Sequence, residues 1–263
     1  DPSLVIAAPE ALPKETALLV HTPEYLADLD GDEHTKRTRD SELPLSRQIV
    51  NAYYLAAGGT YLAAKLALER GGGMNLSGGF HHAFAGRAEG FCYLNDVAVA
   101  ARQLQQRDDV GKIVIVDCDV HQGNGTANIF LGDSSVFTFS MHQRDNYPAI
   151  KEKSDLDIDL LNGVGDDEYC ETLSGALERI SAEFEADFVF YLAGVDPYEH
   201  DQLGGLALSI DGMRRRDRLV FDWCQANKTP VAVVLAGGYA VNTDDTVRMH
   251  RNTYRELESV IGQ

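Results

Sequence analysis

The residues best suited to chemistry cluster in one stretch, Lys112-Ile-Val-Ile-Val-Asp117-Cys-Asp119-Val-His121-Gln-Gly-Asn-Gly-Thr126, where an apolar run ends in carboxylates, imidazole and glycine. Side chains alternate between the faces of a strand, so Asp117, Asp119 and His121 are expected on one side. Two carboxylates and an imidazole at the end of a buried strand need a positive charge among them, and a divalent metal on Asp119 and His121 is the natural candidate. A strand-terminal Asp can also simply cap the next helix. The remaining motifs bear on that choice. A second apolar run ends in Gly194-Val195-Asp196, a third in Gly237-Gly238-Tyr239, and a glycine-rich turn carries His81 and His82. Asp119, His121 and Asp196 would supply three protein ligands and leave a position open, the arrangement of a catalytic rather than a structural zinc site. His81 and His82 add acid–base groups, and Tyr239 adds a hydroxyl donor.

These residues can meet only if the elements deliver them to one edge. Apolar periodicity and breakers predict helices over 15–20, 23–29, 46–70, 95–106, 166–184, 211–225 and 243–261, and strands over 74–76, 112–116, 136–140, 188–193 and 231–236. The charged tract 28–42 reads as a surface loop. Continuous apolar strands alternating with amphipathic helices imply an α/β fold, a single-domain parallel β-sheet flanked by helices on both faces. Sites in such sheets lie in the crevice beyond the carboxyl ends of the strands, where His81, His82, Asp117–His121, Asp196 and Tyr239 all fall.

A chain of 263 residues, 44% hydrophobic and 24% charged, fits one large domain spanning 1–263. No apolar stretch approaches the roughly 20 residues of a membrane span. The formal charge of −18 argues against direct nucleic-acid binding and is compatible with a cationic substrate, although it can equally be a solvated acidic surface. Cys92, Cys118, Cys170 and Cys224 are widely spaced and read as buried thiols in a reducing, cytoplasmic compartment.

Taken in order, Gly79-Phe80-His81-His82, Gly90-Phe91-Cys92-Tyr93, Asp117-x-Asp119-x-His121-x-Gly123-Asn124-Gly125, Ala193-Gly194-x-Asp196, Asp201-x-Leu203-Gly204-Gly205-Leu206 and Gly237-Gly238-Tyr239 resemble the histone deacetylase family of the arginase/deacetylase superfamily. The similarity runs from about Leu18 to the C-terminus and looks nearest to class IV-type and bacterial members. It implies a metal-dependent hydrolase of N-epsilon-acyl-lysine amides, with zinc, or alternatively iron(II), at Asp119, His121 and Asp196. It also implies a structural potassium ion at the Asp117 side chain and at main-chain oxygens near Asp119, His121, Ser140 and Met141.

The resemblance further assigns His82 as the proton carrier, His81 with Asp117 as its electrostatic partner, and Tyr239 as donor to the oxyanion. Gly90, Phe91 and Leu203 are expected to wall a channel for the acyl-lysine stem. Asn124 stands where class I members carry Asp, so His82 lacks a direct carboxylate partner and lower basicity is expected. Tyr147 occupies the segment where a second channel phenylalanine is not evident. No clear counterpart of the family's first strand precedes residue 18, so the catalytic domain is expected to be divergent or shortened at that end. The substrate is expected to be an acyl-lysine protein or peptide. An amidohydrolase acting on acetylated polyamines would carry the same residues, and a catalytically weak acyl-lysine-binding protein would keep the fold.

Overall fold

In the computed structural model, residues 4–31 and 33–261 are described. Helices α1 (Lys14–Ala17), α2 (Pro23–Leu29) and α3 (Arg47–Arg70) precede strand β1 (Gly72–Met74). Then come α4 (Asp96–Leu104), β2 (Ile113–Asp117), α5 (Asn124–Phe130), β3 (Val136–Gln143), β4 (Leu156–Leu160) and α6 (Asp166–Glu183). The chain continues through β5 (Phe188–Leu192), α7 (Ile210–Ala226), β6 (Val231–Val234) and α8 (Thr243–Ile261). The strands form one sheet in the order β1-β6-β5-β2-β3-β4, and every pairing is parallel.

Strands β5 and β6 are apolar throughout and β2 is apolar up to Asp117 because both their faces are covered, whereas β3 buries Thr138, Ser140, His142 and Gln143 among its apolar residues. Ile113 and Ile115 of β2 pack with Ala63, Ala67 and Val97 of α3 and α4. Val114 and Val116 pack on the other face with Leu173, Val220 and Leu257 of α6, α7 and α8. Strand order reverses between β2 and β5: the chain goes outward through β3 and β4, then returns to the other side of β2. Open parallel sheets bind ligands at such a switch point. The register brings the ends level, with Asp117 opposite Leu192 of β5 and Ser140 of β3, and Leu192 opposite Val234 of β6. Cys118–His121, Ala193–Asp196 and Leu235–Tyr239 therefore leave the sheet side by side.

Apart from ends shifted by up to three residues, as at α1, β3 and β6, the structure departs from the predicted elements in four places. The first strand is Gly72–Met74 rather than 74–76, and a Cβ at Gly73 would collide with the Ala63 carbonyl oxygen of α3. A strand of glycine gives no periodic signal, yet only glycine lets the helix lie this close. Strand β4, Leu-Asp-Ile-Asp-Leu, was not expected; it pairs only with β3 at the sheet edge, where alternating Asp residues can reach solvent. Helix α5 also escaped the pattern, since it is seven residues long and starts Asn-Gly. Finally, the tract 28–42 is not only surface: Thr38 and Ser41 are buried, and the carbonyls of Arg37, Asp40 and Ser41 accept from Ala88, Gly90 and Phe91 N–H.

Candidate active site

The turn bearing His81 and His82 is held by residues that the motifs did not single out. Asp96, at the first turn of α4, is fully buried, and its carboxylate accepts from Gly79 N–H (3.0 and 3.1 Å), Phe80 N–H (2.8 Å) and the Thr60 hydroxyl (2.6 Å). Burial pushes its pKa up, while those donors pull it down. Asn95 caps α4 through Ala98 N–H and spends its amide on the Ala83 carbonyl. His21 closes the arrangement from the N-terminal segment, bonded to the Phe84 carbonyl through Nδ1 and accepting Asn95 N–H at Nε2.

Beyond β2 and β5 the chain turns Asp119, His121 and Asp196 toward one point. One ligand atom from each lies within 4.8 Å of the others, and all three residues are buried. The predicted meeting is therefore observed, but through turns rather than pleat, because β2 ends at Asp117. Asp119 Oδ2 accepts Gly237 N–H at 2.8 Å, and Asp196 Oδ1 accepts Val120 N–H at 2.9 Å. A Cβ at Gly237 would strike Asp196 Oδ2 and lie 2.7 Å from Asp119 Oδ2, so the backbone approaches the carboxylates as only glycine permits. Asp196 Oδ2 is buried with no aligned hydrogen-bond donor, although His121 Nδ1 lies 3.3 Å away. Burial and the Asp119 charge raise the Asp196 pKa to about 7. Burial opposes a charge on His121, but Asp119 and Asp196 outweigh it and raise its pKa to about 10. A buried group of two carboxylates and one imidazole, short of positive charge and with an orphaned oxygen, fits a divalent cation.

His81 Nδ1 meets Asp117 Oδ2 at 2.6 Å, and His82 Nδ1 meets Asn124 Oδ1 at 2.7 Å. Burial disfavours a charge on His81, yet Asp117 and Asp119 raise its pKa to about 9. His82 is held well below the ordinary histidine value by burial and by the neighbouring His81, with only the Asn124 amide and a more distant carboxylate in its favour. The lowering comes from burial and from His81, and the Asn124 amide works against it.

A cavity of about 410 Å³ opens above these groups, lined by His81, His82, Asp119, His121, Asp196 and Tyr239 and, higher up, by Gly90, Phe91, Tyr147 and Leu203. Asp117 and Asn124 stand behind it. Ser140 and Met141, the other expected potassium-site residues, are buried on β3, with Ser140 in register with Asp117 and its hydroxyl bonded to His142.

The Histone deacetylase domain profile matches residues 2–254. The chain belongs to the histone deacetylase family. The match begins well before Leu18, so the family likeness reaches further toward the N-terminus than the motifs alone indicated. An uncharacterised protein of Picosynechococcus sp. is 48% identical over 92% of this chain and 81% of its own length. Histone deacetylase 2 of Arabidopsis thaliana is 32% identical over 89% of this chain, which spans 63% of that relative. A crystal structure of a histone deacetylase homologue from Aquifex aeolicus matches with a TM-score of 0.81 and 25% identity, covering 97% of this chain and 72% of that one. Like its histone deacetylase relatives, the chain is a hydrolase acting on amide bonds. No helix among its described residues is long and apolar enough to cross a membrane.

What the motifs missed in this histone deacetylase family member are the residues that hold others in place. Asp201 accepts Tyr239 N–H at 2.6 Å with one oxygen and Leu203 and Gly204 N–H with the other, joining two walls of the channel. Glu89 accepts from Asn124 and Tyr147, and Leu43 and Tyr53 also line the cavity. Of these, only Asp201 lies inside a family motif, Asp201-x-Leu203-Gly204-Gly205-Leu206, and nothing in its spacing reveals its partners.

Proposed function

We propose that the chain hydrolyses the amide of an N-epsilon-acyl-lysine side chain, with zinc held by Asp119, His121 and Asp196. The observation that carries this reading is the buried Asp119–His121–Asp196 group, with Asp196 Oδ2 left without an aligned donor, at the bottom of a cavity that also presents His81, His82 and Tyr239. Bound there, zinc would supply Lewis acidity to the acyl carbonyl and to a water. The Asp117 side chain, with main-chain oxygens of Asp119, His121 and Met141 and with Ser140, is the proposed potassium site. That ion would offset the clustered carboxylates.

Phe91, Gly90, Tyr147 and Leu203 enclose the four-carbon stem of the lysine and exclude water around it. His82 takes the proton of the attacking water and returns one to the leaving amine nitrogen. His81, charged and held by Asp117, stabilises the negative charge that builds beside it. Tyr239 donates a hydrogen bond to the carbonyl oxygen as it becomes an oxyanion, and so favours the transition state over bound substrate.

The test is a steady-state panel with added zinc: acetyl-lysine and long-acyl-lysine peptides against acetylated polyamines, with His82→Ala as the matched control. Preferential turnover of an acyl-lysine peptide, lost in the control, supports the proposal. Preference for an acetylpolyamine moves the substrate to small amines.

A further inference from the structure

Five side chains form a hydrogen-bonded line beneath the channel. Glu89 Oε1 lies 2.6 Å from Asn124 Nδ2, Asn124 Oδ1 is 2.7 Å from His82 Nδ1, His82 Nε2 is 3.1 Å from His81 Nε2, and His81 Nδ1 is 2.6 Å from Asp117 Oδ2. Both ends are carboxylates, which when ionised only accept. An Asn124 amide turned the other way would set its oxygen against that of Glu89. The NH₂ group must therefore face Glu89 and the amide oxygen must face His82. His82 Nδ1 is then the donor, and its Nε2 presents a lone pair toward His81 Nε2–H, while His81 Nδ1–H goes to Asp117. The two carboxylates fix the directions of the outer bonds, and the central bond between the two Nε2 atoms holds one further proton, placed on His81 beside Asp117 and Asp119.

Glu89 is tied on its other sides as well. Its Oε1 also accepts from the Tyr147 hydroxyl at 3.2 Å, and its Oε2 accepts from Arg87 Nη2 at 3.0 Å. The Tyr147 ring meets His82 edge-on, with centroids 4.9 Å apart and planes at 90°. One carboxylate thus orients the amide behind His82 and the phenol beside it, and Arg87 keeps that carboxylate in place.

We infer that Glu89 is a positioning residue for His82. Acting through Asn124, it holds the imidazole in the tautomer protonated at Nδ1 and basic at Nε2; acting through Tyr147, it sets the channel wall against the same ring. The inference rests on His82 as the proton carrier of the proposed reaction. It also gives this chain a carboxylate behind the histidine after all, one amide removed.

Two measurements test it. Nitrogen-15 correlation spectra of the imidazoles, recorded on the zinc-supplemented protein, should show His82 protonated at Nδ1 in the wild type and a mixture of tautomers in Glu89→Ala. An unchanged His82 pattern in Glu89→Ala overturns the inference. The second is a double-mutant cycle with the best substrate of the panel. Asn124→Asp sets a carboxylate against Glu89 and should lower kcat about tenfold with KM changed by less than about twofold. Adding Glu89→Gln, whose amide can donate to the new carboxylate, should bring kcat back to within about threefold of wild type. An equal loss from Asn124→Asp in both Glu89 backgrounds also overturns it. If the wild type turns over no acylated amine, the proposed reaction fails, and the imidazole spectra still decide the role of Glu89.

Discussion

Two buried charged groups meet the same pair of strand ends. In one, Arg216 of α7 donates to Asp217 Oδ1 through Nε (2.9 Å) and Nη2 (2.7 Å), and through Nη1 to the Gly194 (2.5 Å) and Cys118 (3.4 Å) carbonyls. Asp217 also accepts the Tyr191 and Thr253 hydroxyls, both at 2.6 Å. In the other, Asp119, His121 and Asp196 share one imidazole between two carboxylates and leave Asp196 Oδ2 without an aligned donor. The first group completes itself with protein atoms and clamps the ends of β2 and β5. The second is incomplete in the same surroundings. Buried charge alone therefore does not mark a site; buried charge that the fold leaves uncompensated does.

The largest expected effect falls on the complete group. Arg216→Met should destabilise the protein by about 3–5 kcal/mol, because it strands Asp217 in the interior, and Arg216→Met/Asp217→Asn should recover part of that loss. Urea denaturation of the two variants measures it. A midpoint for Arg216→Met equal to wild type would break the contrast.

On the other side the main loss should be in rate. Tyr239→Phe removes one hydroxyl and should lower kcat by about 10²–10³, equivalent to about 2.7–4 kcal/mol, with a smaller change in KM. Retention of most of kcat on the best acyl-lysine substrate would take Tyr239 out of the reaction.

Zinc sharpens the contrast further. At free zinc about 100 times its dissociation constant, the wild type should gain about 2.7 kcal/mol of stability. Asp196→Asn should lose that gain, yet be at least as stable as wild type without added metal, because it removes one of two repelling carboxylates. Thermal denaturation with and without zinc reads both quantities. A zinc response undiminished in Asp196→Asn would place the metal elsewhere.

His21 offers the smallest effect and a third kind of balance, complete without charge. Burial lowers its pKa to about 4, despite carbonyl bonds that favour the charged form. Its folded value lies below the unfolded one of about 6.5, so the unfolded chain binds the extra proton first and stability falls as pH drops below that value. The expected loss from pH 7 to pH 5 is about 2 kcal/mol. His21→Gln, able to donate to Phe84 and accept from Asn95, should flatten that part of the profile in chemical denaturation at the two pH values; a parallel profile would assign the slope to other groups.

Asp119, His121, Asp196 and Tyr239 were legible in the sequence because each closely follows an apolar run, and a parallel sheet gathers such ends by topology. Strand β1 was misplaced because glycines fit against α3 by having nothing to pack, and β4 was hidden by the aspartates its edge position tolerates. Asp96, Glu89, Asp201 and Arg216 were invisible in their roles for another reason. Glu89 reaches an asparagine 35 positions away, and Arg216 a carbonyl 98 positions away. A surface acid, a helix cap and an ion pair on an exposed helix would each have looked the same in sequence.

The level strand ends also govern how the protein comes into being. Gly237 N–H reaches Asp119 across 118 residues of chain, and Val120 N–H reaches Asp196 across 76. Contacts of such separation form late and slowly, because much of the chain must be ordered before they repay the loss of freedom. The carboxylate pocket consequently has no precursor in any single hairpin or helix pair, and a nascent chain released before β6 would lack the Gly237 N–H that fixes Asp119. Capture of a cation at Asp119, His121 and Asp196 would therefore report that the ends of β2, β5 and β6 have come together.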